Sequence, residues 1–223
     1  HGSQWLPTWE RPPTHDDVQS PVQYAFISAD GSHTAEATVA SAFTASGGQP
    51  GVATSGGHRL FTWRANSLAN ADNYIRGRLM NADGSWATDL FTIVQAPGRQ
   101  RRPAGAWDGA ELVVAWEDQR NQTAFFDQRT DIYGCRVSET GTVLDPSGFA
   151  IIAGPDAETT AGIVSHDGLS FVASARYIPS PDLPSYRVGL TMIGHATWVD
   201  LGSGLAGVSG VPSLVGTGTL VGG

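Results

Sequence analysis

Charged side chains gather directly after a tryptophan that ends an apolar run. Residues 113–120 read VVAWEDQR, and Asp131 opens the next apolar run. A guanidinium placed between two carboxylates can make bidentate hydrogen bonds to them. Asp118, Arg120 and Asp131 therefore have two interpretations: a brace that ties the two ends of the intervening loop, or part of a ligand-binding or catalytic site.

Two neighbouring carboxylates, Glu117 and Asp118, are of the residue type that glycosidases use as acid and base. Neighbours on one strand point to opposite faces of a sheet, so this pair is not expected to flank one bond. No catalytic residue is therefore assigned. The candidate ligand-binding residues are charged and lie in or beside long loops: Arg64, Glu117, Asp118, Arg120, Asp131 and Arg176.

Metal and cofactor chemistry finds little support. His1 could chelate copper through its amine and ring, but no other histidine has a spacing that marks it as the partner. The chain has no zinc, calcium, nucleophile-elbow or phosphate-loop motif. Lysine is absent, which excludes Schiff-base chemistry. Cys135 is interpreted as a buried, inert thiol, and we expect no metal and no cofactor.

Composition favours a β protein. The 223 residues include 28 Gly and 13 Pro but only 15% charged side chains, a balance typical of many short strands and turns. A net charge of −8 argues against nucleic acid as a partner, and no apolar run is long enough for membrane insertion. The one basic cluster, Arg99, Arg101 and Arg102, is interpreted as a solvated loop rather than an anion site.

A repeat organises the chain. Trp9, Trp63 and Trp116 are 54 and 53 residues apart, and each is followed 21 to 25 residues later by a turn glycine. Asp-Gly pairs mark tight hairpins, because both central residues of a type I′ turn need a positive φ. Each unit of about 55 residues therefore predicts four short antiparallel strands. In the fourth unit Ala175 replaces the tryptophan.

Tandem four-stranded units are typical of β-propellers. The predicted fold is all-β and propeller-like, with about four blades of four short antiparallel strands. The first unit lacks its leading strand, and the segment 205–210 is a candidate to supply it and close the ring. Residues 1–210 are expected to form the propeller-like domain, and residues 211–223 a Gly/Thr/Ser-rich tail or linker.

The third unit carries a longer pattern, V-V-W-x-D-x-R, then D-I-Y-G-x-R-V, then V-L-D-P-x-G. Its residues include Trp116, Asp118, Arg120, Asp131, Tyr133, Gly134, Arg136, Asp145 and Gly148. This unit resembles the tandem propeller-like repeats of large extracellular bacterial surface proteins. The resemblance implies a secreted or cell-surface location and implies no defined enzymatic activity.

These observations predict an extracellular, non-catalytic binding or structural module, with an adhesion or scaffold role in a larger bacterial protein. Carbohydrate or another surface protein would bind the loops at 10–21, 64–73, 117–130 and 176–185. One alternative is a propeller-fold glycoside hydrolase or lyase acting on extracellular polysaccharide, marked by carboxylates that different blades bring together. Another is a self-assembling subunit of a surface filament or layer.

Overall fold

The computed structural model describes residues 4–12, 20–40, 48–66, 73–122, 129–178, 185–194 and 198–203. Every regular element in these ranges is a β-strand. In chain order they are β1 (Gln4–Trp5), β2 (Thr8–Glu10), β3 (Val22–Tyr24), β4 (Ile27–Ser28), β5 (Ala37–Ala40), β6 (Gly51–Thr54), β7 (His58–Asn66), β8 (Asn73–Asn81), β9 (Phe91–Val94), β10 (Gln100–Trp107), β11 (Leu112–Asp118), β12 (Asp131–Val137), β13 (Phe149–Ile152), β14 (Ala157–His166), β15 (Leu169–Ile178), β16 (Ser185–Met192) and β17 (Trp198–Ser203). No helix in the described part of the chain could cross a membrane.

The strands form four antiparallel sheets and a small ribbon. The first sheet has the order β2-β3-β5, and β1 pairs with β4 beside it. The second (β6 to β9), third (β10 to β13) and fourth (β14 to β17) sheets each have four strands in chain order. The all-β architecture of antiparallel sheets predicted from the sequence is confirmed.

Local turn chemistry sets the strand ends. Gly31 and Gly84 have φ angles of +84° and +90°, which a side chain would disfavour. In the first of these turns, Asp30 Oδ1 accepts from the Ser32 hydroxyl at 2.6 Å and from its amide at 2.9 Å, and these bonds hold the pKa of Asp30 below its usual value. Asp83 makes the same two bonds to Ser85. The Asp-Gly pairs mark turns as predicted, but among the described residues only Asp167-Gly168 has a positive φ at both positions, so the type I′ geometry predicted for the other pairs is wrong.

Apolar side chains fill the space between successive sheets. Phe61 and Trp63 of the second sheet pack against Tyr24 of the first, while Trp116 of the third belongs to the cluster shared with the second. A further cluster, which includes Val113 and Val172, joins the third sheet to the fourth. Both repeat tryptophans of the middle sheets are fully buried. Their packing role supports the sheet-on-sheet stacking of a propeller.

The first strand of each four-stranded sheet lies on the inside of the stack, since β10 contacts both β6 and β14. Among the described residues the first sheet has no such strand, as the sequence indicates. The predicted closing segment 205–210 and the tail 211–223 lie outside the described residues. A count of four blades and the closure of the ring stay predictions.

Candidate functional site

All six candidate residues lie at one end of the sheets, which we call the loop edge. It is the end at which β7, β11 and β15 finish, at Asn66, Asp118 and Ile178. The inner strands β10 and β14 begin at this same end, because Gln100 pairs with Asp118 and Ala157 pairs with Tyr177. The long loops predicted to carry recognition therefore share one edge with the charged residues.

The inner strands are distorted where they reach the loop edge. Gln49 and Arg102 have φ angles of +61° and +49°, and each directly precedes a proline. The pairing of β10 with β11 shifts between Arg101 and Ala104, and β14 has a similar shift between Thr160 and Gly162. Bulges of this kind re-aim side chains and are common beside functional sites. Here the two bulges directly follow the stretches of β10 and β14 that carry Arg101 and Glu158.

Asp118 and Arg120 form a brace inside the third sheet. The buried Asp118 carboxylate accepts from Trp116 Nε1 at 2.7 Å, from the Arg120 amide at 2.8 Å and from Arg120 Nη2 at 2.7 Å. Arg120 also donates to the carbonyl of Ser147 at 2.6 Å, and its guanidinium lies 4.1 Å from the ring centre of Tyr133. The brace interpretation describes these two residues, whose polar groups serve the sheet itself.

Asp131 is held differently from the predicted fork. Its carboxylate accepts from Asn121 Nδ2 at 2.7 Å and from the Gly154 amide at 3.2 Å. Asn121 also donates to the Tyr133 hydroxyl at 3.0 Å. The prediction that Arg120 bridges Asp118 and Asp131 is wrong, because the shorter amide of Asn121 reaches Asp131 and the guanidinium stays with Asp118.

A second pair completes the bracing of the third sheet. Arg136 Nε and Nη2 donate to the two carboxylate oxygens of Asp145 at 2.9 and 3.0 Å. Gly148 lies under the ring of Trp116, where an added Cβ would be 2.8 Å from the indole. The residues of the V-V-W-x-D-x-R and D-I-Y-G-x-R-V pattern thus form contacts that shape the sheet.

Glu117 points away from Asp118, as strand alternation predicts. Its carboxylate is 1% exposed and accepts from Arg102 Nη1 at 2.8 Å, while Arg101 Nη2 lies 3.8 Å away. Burial lowers the pKa of Arg101, and the charges of Arg102, Arg99 and Arg64 lower it further against the opposing effect of Glu117. Arg101 and Arg102 thus lie on β10 beside a buried carboxylate rather than in a loop, while Arg99 and Arg102 are exposed, as the interpretation of a solvated cluster expects.

A buried acid on the fourth sheet was missed from the sequence. Glu158 is fully buried on β14, and Arg176 Nε donates to its Oε1 at 3.1 Å. Burial raises its pKa to about 7, the charges of Asp131 and Asp156 act in the same direction, and Arg176 opposes them. Its second oxygen, Oε2, is buried and has no hydrogen-bond partner in the structure of the described ranges. This carboxyl therefore holds its proton close to neutral pH.

Two neighbours complete the surroundings of Glu158. Its amide donates to the carbonyl of Thr130, which precedes Asp131, and the Thr130 hydroxyl donates to the Glu158 carbonyl. Asp156 Oδ2 lies 3.8 Å from Arg176 Nε, and a third of its side chain is exposed. Carboxylates from the third and fourth sheets thus meet at the loop edge.

One sequence signal could have found Glu158. The residue after each repeat position is charged: Glu10, Arg64, Glu117 and Arg176. On the neighbouring inner strand, Arg101 pairs with Glu117 and Glu158 pairs with Arg176. The same ion pair therefore occurs in the third and fourth sheets with its two charges exchanged, and the strand partner of Arg176 was the position to inspect.

The remaining candidates have simpler surroundings. The Arg64 amide donates to the Gly48 carbonyl at 3.0 Å, and its Nε is buried without a hydrogen-bond partner among the described residues. Within those residues no group of three His, Cys, Asp or Glu side chains could hold a metal ion. Cys135 is fully buried, and burial raises the pKa of its thiol to about 12.

Comparisons with known proteins identify the fold. No protein-family model and no curated protein sequence matches the chain. Among solved structures, the native arabinanase of Bacillus subtilis superposes with a TM-score of 0.53 and 12% identity, over 85% of this chain and 68% of the other. An endo-arabinase from Bacteroides thetaiotaomicron gives 0.53 and 12%, over 89% and 76%. A GH43 endo-arabinanase from Bacillus licheniformis gives 0.50 and 10%, over 82% and 73%. The chain has the β-propeller fold of these enzymes.

These matches correct the predicted function. The sequence favoured a non-catalytic binding or structural module, with adhesion, scaffold or filament roles, but the solved structures that share the fold are glycoside hydrolases. The prediction is wrong because it relied on a repeat pattern whose residues, such as Asp118 and Arg120, brace one sheet. Residues that stabilise a fold do not identify the activity of the residues at its loop edge.

Proposed function

We propose that this chain is a propeller-fold glycoside hydrolase that acts on an extracellular polysaccharide, with its reacting carboxylates at the loop edge. The observation that carries the proposal is Glu158, a buried carboxyl with a pKa of about 7 beside two further acids, Asp131 and Asp156. The arabinanases that share the fold support the reaction class, and the extracellular repeats that the third unit resembles support the location.

Hydrolysis of a glycosidic bond needs a carboxylic acid and a carboxylate with different pKa values. Glu158 is the acid, because its proton is retained near neutral pH. Because Glu158 is fully buried in the free chain, substrate binding must expose its carboxyl, which then gives its proton to the glycosidic oxygen as the bond from this oxygen to the anomeric carbon breaks. Asp156 is the base: it takes a proton from a water molecule, whose oxygen then bonds to the anomeric carbon.

The surroundings match these two roles. Asp156 lies 3.8 Å from the Arg176 guanidinium, and a third of its side chain is exposed, so water can reach it. Asp131 contributes through its charge, which helps to keep the proton on Glu158, and its own carboxylate is held by Asn121 and Gly154. It is a positioning residue for the reaction.

The ring is proposed to have about four blades and to close through the segment 205–210. Five residues connect β9 to the inner strand β10, and four residues connect β13 to the inner strand β14. Both connections reach the loop edge. The strand β17 ends at Ser203, which pairs with Arg187, the strand partner of Arg176, and so ends near the same edge. The segment 205–210 follows Ser203 closely in the chain, and we propose that it lies beside β2, where the first sheet has no inner strand among the described residues.

The proposed activity is tested by release of reducing ends from a panel of plant and bacterial polysaccharides that includes arabinan. The wild-type chain should hydrolyse at least one of them. Glu158→Gln and Asp156→Asn should lower kcat by about 100-fold or more, the usual contribution of a general acid or base. Asp89→Asn removes an exposed carboxylate outside this group and is the matched control. Absence of hydrolysis across the panel, or full activity in Glu158→Gln, would contradict the proposal.

A further inference from the structure

Arginines gather at the loop edge, although the whole chain has a net charge of −8, and two of them, Arg101 and Arg102, lie beside the buried carboxylate of Glu117. The charges of Arg64, Arg99 and Arg102 all act on Arg101, and Glu117 is the carboxylate that opposes them. Among the groups that act on Arg101, three are guanidinium groups and one is a carboxylate. Partly buried charges of one sign are unfavourable unless an opposite charge accompanies them.

The carboxylate lies at the base of this cluster and the guanidinium groups lie above it. Glu117 is 1% exposed, whereas 27% of the Arg101 side chain and 41% of the Arg102 side chain are exposed. Arg101 Nε and Arg64 Nε are buried and have no hydrogen-bond partner among the described residues. The guanidinium groups of Arg101 and Arg102 are therefore partly open to solvent, while the carboxylate that they contact is not.

The backbone holds the cluster across two sheets. The Arg102 amide donates to Gln49 Oε1 at 3.0 Å, and this bond joins the entrance of β10 to the entrance of β6. Both residues have a positive φ, a strained conformation that costs energy and often accompanies preorganised sites. Arg64 of the second sheet is thereby held close enough to Arg101 of the third for its charge to lower the pKa of Arg101.

The cluster also borders the acid of the proposed reaction. Arg101 on β10 and Glu158 on β14 have the same position in their sheets, since each pairs with the residue after the repeat position. The strands β10 and β14 contact each other. A glycan whose bond reaches Glu158 would therefore bring a neighbouring sugar unit to Arg101.

We propose that this cluster binds the carboxylate of a uronic acid unit, so that the substrate is an acidic, uronate-bearing glycan. A carboxylate has the planar geometry that a guanidinium fork recognises through two hydrogen bonds. Its negative charge would be attracted by Arg101 and Arg102, whose side chains are partly exposed. The statement that the uronate-bearing glycan is a substrate rests on the proposed hydrolase function. The statement that the cluster binds a carboxylate depends only on the arginines.

The test measures binding of a short oligouronide by calorimetry, with its fully methyl-esterified form as the neutral counterpart. The wild-type chain should bind the free acid about tenfold or more tightly than the ester. Arg101→Gln and Arg64→Gln should each lower the ratio of the two affinities, free acid over ester, toward one. Arg59→Gln is the control, because Arg59 bonds to the carbonyls of Asn81 and Ala82 at the opposite edge of the second sheet.

A melting curve for each variant separates loss of the site from loss of the fold. Arg64→Gln is the decisive variant if Arg101→Gln unfolds, because Arg64 makes no ion pair with Glu117 in the structure. Equal affinity of the wild-type chain for acid and ester would overturn the inference, and hydrolysis of a neutral polysaccharide would then leave the proposed function intact. Selective binding of the oligouronide without hydrolysis of any glycan would support the inference and overturn the proposed function.

Discussion

Replacing Glu158 by glutamine should change how the stability of the protein depends on pH. Glutamine keeps the shape and can still accept a hydrogen bond from Arg176, but it cannot ionise. In the folded chain the pKa of Glu158 rises from 4.5 to about 7, chiefly because the carboxyl is buried. The folded state therefore retains this proton at pH values at which the unfolded chain has released it.

The sign of the effect follows from this difference in bound protons. A carboxyl whose pKa is raised by folding favours the folded state below pH 4.5, and that contribution is lost as the pH rises through about 7. The interval corresponds to about 3 kcal/mol in the free energy of unfolding, at about 1.36 kcal/mol for each pH unit. Relaxation of a buried charge lowers this figure, so we expect a loss of about 1–3 kcal/mol between pH 5 and pH 8.

Urea unfolding at pH 5 and pH 8 measures the effect. The wild-type chain should lose this amount of stability relative to Glu158→Gln, since other titrating groups are common to both proteins and cancel. Asp89→Asn, which alters an exposed carboxylate, should keep the wild-type difference. The same pH dependence in the wild-type chain and in Glu158→Gln would mean that Glu158 is ionised throughout this range, and the proton-donor role would fail with it.

Three other outcomes follow from the structure. Hydrolysis should decline as the pH rises through about 7, because Glu158 must be protonated to act as the acid; a rate that stays constant up to pH 9 would contradict this. Gly134→Ala should lower the unfolding free energy by about 1–3 kcal/mol, since its Cβ would lie 2.7 Å from Ile151 Cδ1, whereas Gly56→Ala, with open space around it, should have little effect on urea unfolding. Cys135 should react with a thiol reagent only after urea unfolds the chain, because its thiol is buried with a pKa of about 12; rapid reaction of the folded chain would argue against that burial.

The sheets could be predicted because their signals are local. Asp30 and Asp83 precede glycines that adopt positive φ, and Trp63 and Trp116 recur at the same place in each unit. Turn residues and strand periodicity depend on a few neighbours in the chain. They therefore report the four-stranded units without any knowledge of how the units meet.

The site could be predicted only in part because it depends on contacts between sheets. The charged residues after each repeat position pointed to the loop edge, where Glu117 and Arg176 lie, and their role in binding stays a prediction. Glu158 can be found from the sequence only through its strand partner Arg176, and its raised pKa comes chiefly from burial, with a contribution from Asp131 of another sheet. The partner of Asp131 was also misjudged, because Asn121 competes with Arg120 at a range that spacing does not resolve.

The braces of the third sheet bear on how this fold tolerates evolutionary change. Each joins residues of the same sheet, in the pairs Asp118–Arg120, Asp131–Asn121 and Arg136–Asp145. The apolar clusters between sheets require side chains of suitable volume but no particular partner. A unit that carries its own braces can be duplicated as a genetic module without matched mutations in its neighbours. Such modularity explains how a propeller can be shared with arabinanases while only 10 to 12% of the aligned residues remain identical.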